Sequence, residues 1–163
     1  MATLDKGKYY VTVAGAEKLT RELEALEMKR AEISQAIRTA KGFGDLSENF
    51  EYHAAKKDGG MVEGRIQQLK IILPSLAVVR PEDVSTEQVG FGALVTVNDE
   101  DGEPWELQLV GPLEADPIED RISYESPLGA ALMGRKVGET VEADVPAGKI
   151  TYQIVDIQPY AAT

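Results

Sequence analysis

Apolar residues recur with a seven-residue period through two stretches of the N-terminal half, residues 16–41 and 48–76. Within each stretch the steps alternate between three and four residues, the spacing that places side chains along one side of a helix. The pattern predicts two long helices, each with one seam. The first seam, apolar except at Arg30, comprises Leu19, Leu23, Leu26, Arg30, Ile33, Ile37 and Ala40. The second comprises Tyr52, Ala55, Gly59, Val62, Ile66, Leu69 and Leu73.

The two seams are mirror images of each other. From Ala40 with Tyr52 to Leu19 with Leu73, the residue numbers of every matched pair add up to 92. Residues at equal heights on two antiparallel helices must be related in this way. The sequence therefore predicts an antiparallel two-helix coiled coil whose turn is centred on Leu46. A first helix of roughly 26 residues places that tip about 40 Å from the base.

Glycine and proline residues mark the predicted ends of these helices. Gly42 and Gly44 are expected to end the first helix, because glycine takes the left-handed conformation at low cost. Pro74 is expected to end the second, because its ring opposes continuation of the helix. Inside the second helix, Gly59 lies in the seam opposite Ile33, where a missing side chain allows the helices to approach closely.

After residue 78 the pattern changes from helical to alternating. The segments "ALVTV" and "WELQLVG" flank the turn "NDEDGEP", and "GETVEADVP" and "KITYQIVDIQ" flank "AG", which predicts two hairpins. Ser126-Pro127 is predicted to open a short helix with proline at its first position. We therefore predict an α+β protein with two domains. Residues 1–78 form the coiled-coil hairpin, and residues 79–163 form a small, mainly antiparallel sheet with one short helix.

Composition narrows the class of protein. The 163 residues are 43% hydrophobic and 28% charged, as in soluble globular proteins. No apolar run reaches the length of a transmembrane helix, and the first 30 residues lack the apolar core of a secretory signal, so we expect a cytoplasmic protein. Since there is no cysteine, disulfides, thiolate metal sites and cysteine nucleophiles are excluded.

The net charge of −11 is distributed unevenly along the chain. Residues 1–78 contain 12 Lys and Arg against 11 Asp and Glu, whereas residues 79–163 contain 5 against 17. Such asymmetry indicates two units with different partners, or alternatively a solubilising surface on the second. The acidic half is expected to be repelled by bare nucleic acid.

The predicted tip contains the acidic pattern Asp45-Leu46-Ser47-Glu48. Two carboxylates at this spacing suit a helix N-terminus, with Asp45 as N-cap and Glu48 reaching back to it. They also suit a divalent cation, typically Mg²⁺, or a water molecule beside one. Spacing alone favours the cap. A two-helix hairpin cannot enclose a substrate, so the second interpretation requires that the carboxylates are delivered into the cavity of another protein.

Basic residues flank the tip, with Arg38 and Lys41 before it and Lys56 and Lys57 after it. They either hold phosphate groups or form an ordinary solvated helix surface.

Several other residues near the tip and in the second half are open to two interpretations. Phe43 and Phe50 either pack over the turn or contact a partner. His53, the single histidine, is expected to be an exposed helix residue and not a metal ligand. Trp105 belongs either to the core or to an interface. The chain has no Gly-rich phosphate loop, no Gly-x-Ser-x-Gly and no His-Glu-x-x-His motif.

Three segments carry a family resemblance. "GDLSENFEYHAAK", residues 44–56, resembles the tip motif of the GreA/GreB family of bacterial transcript cleavage factors. "VTVAGAEKLTRELEAL" resembles the start of their first helix, and "SPLGAALMGRKVGETVEADVPAGKITYQIVDI" resembles their C-terminal domain. Together these segments cover most of the chain in the right order, and the likeness is nearer to the GreA branch.

The resemblance implies an N-terminal antiparallel coiled coil joined to an FKBP-like C-terminal domain that docks on bacterial RNA polymerase. The coiled coil would enter the polymerase's secondary channel and reach the 3′ end of the backtracked nascent RNA. There Asp45 and Glu48 would help to hold a Mg²⁺ ion of the polymerase and position the attacking water. The polymerase would then hydrolyse the RNA, so the factor is not itself an enzyme.

The resemblance also maps the family's RNA-contacting basic patch onto Lys41 and Lys56, to which we add Arg38. No cofactor of its own and no membrane partner are implied, DNA binding is expected, and we expect a monomer. We further expect Asp45 and Glu48 to cap the second helix in the free protein and to serve the metal and water once the factor has docked.

The chain departs from the family pattern at three positions. Phe50 stands where a small alanine is usual, Gly42 where a helix-favouring residue is common, and Gly59 where a longer side chain occurs. Three other functions compete with cleavage stimulation. They are an inhibitory relative that occupies the same channel, a prolyl isomerase or chaperone module, and a structural coiled-coil adaptor. The "DLSEN" tip argues against the inhibitory relative, because such relatives have more acidic tips.

Overall fold

The computed structural model describes residue 4, residues 7–42, residue 44 and residues 49–161. The chain divides into two compact units: one is Glu17–Ser75, and the other combines Met1–Ala16 with Leu76–Thr163. The predicted α+β class is confirmed. The predicted domain division at residue 78 differs from these units, because the first strand and the first turn of the first helix group with the sheet.

Two long helices dominate the first unit. Helix α1 is Val13–Lys41 and helix α2 is Phe50–Ile72, and one 3-10 turn, Leu73–Ser75, follows α2. Every predicted seam position is buried or half-buried, whereas most of the remaining positions on both helices are exposed. The fully buried members are Leu19, Ala40, Val62, Ile66 and Leu69. The heptad pattern is therefore confirmed as a burial pattern, since each helix covers one apolar stripe with its neighbour.

Two ion pairs cross between the helices and show that they run antiparallel. Arg65 Nε lies 2.6 Å from Glu22 Oε1, and Arg30 leaves the seam so that its Nη1 lies 3.3 Å from Glu63 Oε2. The hydrogen bond from Arg65 holds the pKa of Glu22 below its usual range. These side chains are partly exposed to solvent, so the apolar seam contributes more to the stability of the pair than the ion pairs do.

Replacement of Gly59 by alanine and replacement of its neighbour Gly60 by alanine are expected to change the stability of α2 by different amounts. A Cβ atom at Gly59 would lie 3.3 Å from Ile33 Cγ2, whereas a Cβ atom at Gly60 would meet nothing within 4 Å. Gly60→Ala is expected to stabilise α2 by about 0.5–1 kcal/mol, because alanine restricts the unfolded chain and fits the helix. Gly59→Ala is expected to gain less, because Ile33 must move. Urea unfolding followed by circular dichroism compares the two; an equal gain would contradict close approach at Gly59.

The second unit contains two sheets. Strands β1 (Tyr9–Val11) and β2 (Leu76–Val78) pair in parallel. The larger sheet has the strand order β5-β4-β3-β7-β6. Its strands are β3 (Ala93–Asn98), β4 (Pro104–Val110), β5 (Arg121–Ser123), β6 (Thr140–Val145) and β7 (Gly148–Pro159). All neighbouring pairs in it are antiparallel except β4 and β5, so the sheet is mixed and mainly antiparallel.

Both predicted hairpins and the predicted short helix are confirmed. Strands β3 and β4 form one hairpin, and β6 and β7 form the other. Helix α3 is Pro127–Leu132, and the Ser126 hydroxyl accepts a hydrogen bond of 3.1 Å from the Gly129 amide at its start. Alternate residues of β3 point into the core, where they meet apolar side chains from the other strands and from α3. This core includes Ala93, Val95, Val97, Leu107, Leu109, Leu132, Ile154 and Ile157.

The N-terminus of α1 is bound by a carboxylate from the sheet unit. Thr12, which is 2% exposed, donates its amide to Glu114 Oε2 at 2.9 Å, and its hydroxyl donates to Glu114 Oε1. The same hydroxyl oxygen accepts a 3.1 Å hydrogen bond from the Gly15 amide. A carboxylate is favourable at the positive end of the helix dipole. No local sequence pattern predicts this contact, because Glu114 lies 102 residues from Thr12.

Candidate functional site at the end of the helix pair

The candidate site is the connection between α1 and α2. Helix α1 ends at Lys41, where the Gly42 amide donates to the Thr39 carbonyl at 3.1 Å, and Gly44 has a φ of 109°. The expectation that these glycines follow the end of the first helix is confirmed. The predicted carboxylates Asp45 and Glu48, the predicted apex Leu46, and Phe43 lie outside the described residues.

Asn49 ties the two helix ends together. Its side-chain Nδ2 donates to the Ala40 carbonyl of α1 at 2.7 Å, and its Oδ1 accepts from the Tyr52 amide of α2 at 3.0 Å. The first bond satisfies a carbonyl in the last turn of α1, and the second satisfies an amide in the first turn of α2. One side chain therefore ties the end of α1 to the start of α2.

The predicted capping box of Asp45 and Glu48 is wrong as an account of the start of α2. The helix begins at Phe50, and its N-cap is Asn49, in an extended conformation with φ −87° and ψ 95°. A residue at position 45 cannot be the N-cap of a helix that begins five residues later. The signal for the correct cap was present in the sequence, because asparagine is among the most favoured N-cap residues.

Two substitutions of Asn49 distinguish the stability contributed by its bond to Ala40 from that contributed by its bond to Tyr52. Asn49→Ala removes both and is expected to destabilise the helix pair by about 1–2 kcal/mol. Asn49→Ser keeps a capping oxygen for α2 but is too short to reach Ala40, so it is expected to retain most of the stability. Thermal unfolding followed by circular dichroism measures both variants. Equal losses would show that the bond to Ala40 carries the stability, and no loss in either would contradict the role of Asn49.

The predicted basic residues lie on one flank of the helix pair, and all three are exposed. Lys41 directly follows the seam residue Ala40, and Lys56 directly follows Ala55. In an antiparallel pair these equivalent positions lie on the same side of the seam. Arg38 is one turn before Lys41 on the same helix. Their heptad positions thus place Arg38, Lys41 and Lys56 on the same side of the seam, and their contact with RNA stays a prediction.

The predictions for His53 and for metal-ligand clusters can both be compared with the described residues. His53 is exposed, as expected, and its ring lies 5.4 Å from that of Tyr52. Within the described part of the chain, no three His, Asp or Glu side chains gather in a cluster suited to a metal ion. None of the described helices combines the length and the apolarity that a membrane crossing requires.

Trp105 belongs to the edge of the core of the sheet unit. Its ring centroid lies 5.8 Å from that of Tyr152, and its Nε1 donates to Asp120 Oδ1 at 2.9 Å. Burial raises the pKa of the Tyr152 hydroxyl, which is consistent with packing against the core. Of the two interpretations left open for Trp105, the structure supports the core.

A second aromatic group was not foreseen from the sequence. Phe91 packs between Tyr10 and Tyr124, with ring centroids 6.2 and 6.4 Å apart. Tyr160 is also structural, because its hydroxyl donates to the Val79 carbonyl at 2.6 Å and accepts from the Val13 amide at 3.3 Å. These rings come from distant parts of the chain, so no sequence window could show their contacts.

Comparison with known proteins identifies relatives of both units. Residues 9–78 match the family model described as "Transcription elongation factor, N-terminal", and residues 84–159 match "Transcription elongation factor, GreA/GreB, C-term". "Transcription elongation factor GreA" of Caldanaerobacter subterraneus subsp. tengcongensis is 46% identical over 150 residues, covering 91% of this chain and 96% of the relative. The protein of the same name from Novosphingobium aromaticivorans is 47% identical over 144 residues, covering 88% and 91%.

Several solved structures cover nearly the whole chain. One of them, titled "Crystal structure of GreA factor homolog 1 (Gfh1) protein of Thermus thermophilus", is 31% identical and covers 93% of this chain and 99% of its own. Its TM-score of 0.43 is too low for the overall superposition to support an argument. The two family models and the sequence identity of the relatives carry the assignment.

Proposed function

Because this chain belongs to the GreA/GreB family of transcription elongation factors, we propose that it stimulates RNA polymerase to cleave backtracked RNA. The helix pair enters the secondary channel of the polymerase, and Asp45 and Glu48 act beside the polymerase's own catalytic site. The reaction is carried out by the polymerase, and the factor contributes the two carboxylates that serve the metal ion. The factor acts as a monomer in the cytoplasm, and the cleaved complex resumes transcription.

The start of α2 is the observation that carries this proposal. Sequence spacing allowed two uses for Asp45 and Glu48, a helix cap and a cation site. Since Asn49 supplies the N-cap of α2, the start of the helix does not require these carboxylates, which supports their use at a cation site. The bond from Asn49 to Ala40 also limits the separation of the two helix ends, which favours delivery of the carboxylates to one place.

The donor set suits magnesium, because carboxylate oxygens are the ligands that Mg²⁺ prefers. Two carboxylates are too few to fill its octahedral shell, so the remaining ligands would come from the polymerase, the RNA and water. When bound there, the ion would activate a water molecule for attack on the RNA phosphate. The factor needs no cofactor of its own.

The exposed basic residues beside the tip provide the second part of the mechanism. Arg38, Lys41 and Lys56 are exposed, and their positive charges attract the phosphate groups of the RNA 3′ segment. Holding that segment would keep the scissile phosphate near Asp45 and Glu48, so the positive charges orient the substrate while the negative charges serve the metal. The acidic sheet unit, with its excess of Asp and Glu, is suited to a protein surface and not to nucleic acid.

The experiment uses RNA polymerase stalled in a backtracked state, with RNA labelled at its 5′ end and Mg²⁺ present. Addition of the factor is expected to shorten the RNA and to restore its elongation when nucleotides are supplied. Polymerase without the factor is the control for intrinsic cleavage. Slower cleavage than this control would show an inhibitory channel-binding factor, and an unchanged rate together with no binding to polymerase would contradict the proposal.

A further inference from the structure

Phe50, the first residue of α2, carries the most exposed aromatic ring among the described Phe, Tyr and Trp residues. Its side chain is 87% exposed, whereas Tyr9, the next most exposed, is 43% exposed. A single exposed aliphatic residue is ordinary on a protein surface. An almost fully exposed phenylalanine beside a candidate reaction site is unusual, because its large apolar surface stays in water and contributes no stability to the fold.

Among the residues that the structure describes, the neighbours on α2 leave this ring uncovered. One turn later on the same face, position 54 is an exposed alanine, too small to pack over the ring. The adjacent His53 turns instead towards Tyr52, with ring centroids 5.4 Å apart. Helix formation does not call for phenylalanine either, since alanine has the higher helix propensity.

One cation lies on the face of α2 that carries the ring, and two more lie at the end of α1. Lys57 is two helical turns further along the same face of α2, about 10 Å away along the axis, and is exposed. Arg38 and Lys41 end α1, and the Asn49 bond to Ala40 brings that end next to the start of α2. An apolar pocket of a partner protein would be a poor match, because closing over Phe50 would strip water from these cations. An aromatic ring among cations is the arrangement that binds single-stranded nucleic acid.

We propose that Phe50 is a stacking platform for a base of single-stranded RNA, with Lys57 holding the adjoining phosphates. The inference rests on the proposed function and deepens it, because the RNA is the extruded 3′ segment of the backtracked transcript. The cations fix the backbone without regard to sequence, whereas the ring contacts one base and favours the larger purines. This chain would therefore hold the segment more tightly than a relative with alanine at the same position.

The test compares Phe50→Ala, Phe50→Leu and Phe50→Trp in cleavage of backtracked complexes with the factor titrated. Phe50→Ala is expected to raise the half-saturating concentration about 5- to 100-fold, the range expected for loss of one stacked base. Phe50→Leu keeps apolar area but not the π face and is expected to resemble Phe50→Ala, whereas Phe50→Trp is expected to match the parent. The loss should be larger for a purine than for a pyrimidine at the RNA 3′ end.

Ile71→Ala is the matched control. Ile71 is 71% exposed on the same face of α2, 21 residues and about 31 Å from Phe50, so its replacement is expected to change nothing. All the variants keep the helix, because each introduced residue is tolerated at an exposed helical position. Circular dichroism verifies this before the cleavage assays.

A second readout separates this inference from the proposed function. RNA carrying a photoreactive 4-thiouridine at its 3′ end is crosslinked to the factor in the stalled complex, and the yield is expected to fall in Phe50→Ala. Crosslinking that depends on Phe50 without stimulated cleavage would support stacking and contradict the proposed function. Stimulated cleavage and crosslinking that are equal in the parent and Phe50→Ala would overturn the stacking site and leave the function standing. Activity retained in Phe50→Leu would instead assign Phe50 to an apolar protein contact.

Discussion

Asp45→Asn and Glu48→Gln are each expected to reduce the stimulated RNA cleavage by roughly 100-fold. Each change keeps the size of the side chain and removes its negative charge, which an amide oxygen replaces poorly as a ligand for Mg²⁺. Binding to polymerase is expected to persist, because the sheet unit and the sides of the helix pair are unchanged. The measurement is the cleavage rate at saturating factor, with binding followed separately by competition against labelled parent protein.

Asp58→Asn is the control for this pair of variants. Asp58 is an exposed carboxylate on α2, so its replacement changes the net charge by the same amount away from the tip, and cleavage is expected to stay normal. Thermal unfolding provides the second check. Because Asn49 caps α2, neither Asp45→Asn nor Glu48→Gln is expected to lower the melting temperature appreciably. Normal cleavage with a lowered melting temperature would return the pair to a capping role and contradict the mechanism.

Gly129→Ala is expected to destabilise the sheet unit by about 3 kcal/mol or more, the upper range for overpacking a filled interior. Gly129 is buried in α3, and a Cβ atom there would overlap the carbonyl oxygen of Ser123, with the Ser123 carbonyl carbon at 2.7 Å and Tyr124 Cα at 2.9 Å. All three are backbone atoms, so no change of side-chain rotamer relieves the clash. Either β5 or α3 must move away from the other.

Fluorescence isolates the effect of Gly129→Ala. The chain has one tryptophan, Trp105, which packs against the core of the sheet unit, so its emission reports unfolding of that unit. We expect its urea midpoint to fall while the far-UV signal of the helix pair is retained to higher denaturant. Gly64→Ala is the matched control, because a Cβ atom there meets nothing within 4 Å. An unchanged midpoint in Gly129→Ala would show that α3 and β5 are not packed as closely as described.

Much of the fold could be predicted because its elements follow local rules. The heptad seams gave both helices, since an apolar stripe can be covered only by a second stripe. Alternation in "ALVTV" and "KITYQIVDIQ" gave strands β3 and β7, and Ser126-Pro127 gave the start of α3. The exception in the first seam, Arg30, forms an ion pair with Glu63 of the other helix.

Errors arose where two local rules competed. The sequence contains two acceptable helix starts. One is a capping box of Asp45 and Glu48, and the other is an N-cap at Asn49. Asn49 caps the helix, and it also binds Ala40 across the pair. Its second bond depends on α1 being in place, so a capping rule applied to one helix in isolation could not rank the two candidates.

The sequence by itself determined the order of the elements, the antiparallel direction of the helix pair and the positions of its glycine breaks, because periodicity and turn chemistry act over a few neighbouring residues. Only the tertiary structure decided which residue caps α2, that Glu114 binds the start of α1, and that Phe91 lies between Tyr10 and Tyr124. The contacts of Glu114 and Phe91 join residues that are far apart in the chain, and the bond from Asn49 to Ala40 requires α1 to be in place. Their free energy depends on distances that exist only after folding, so no local pattern encodes them.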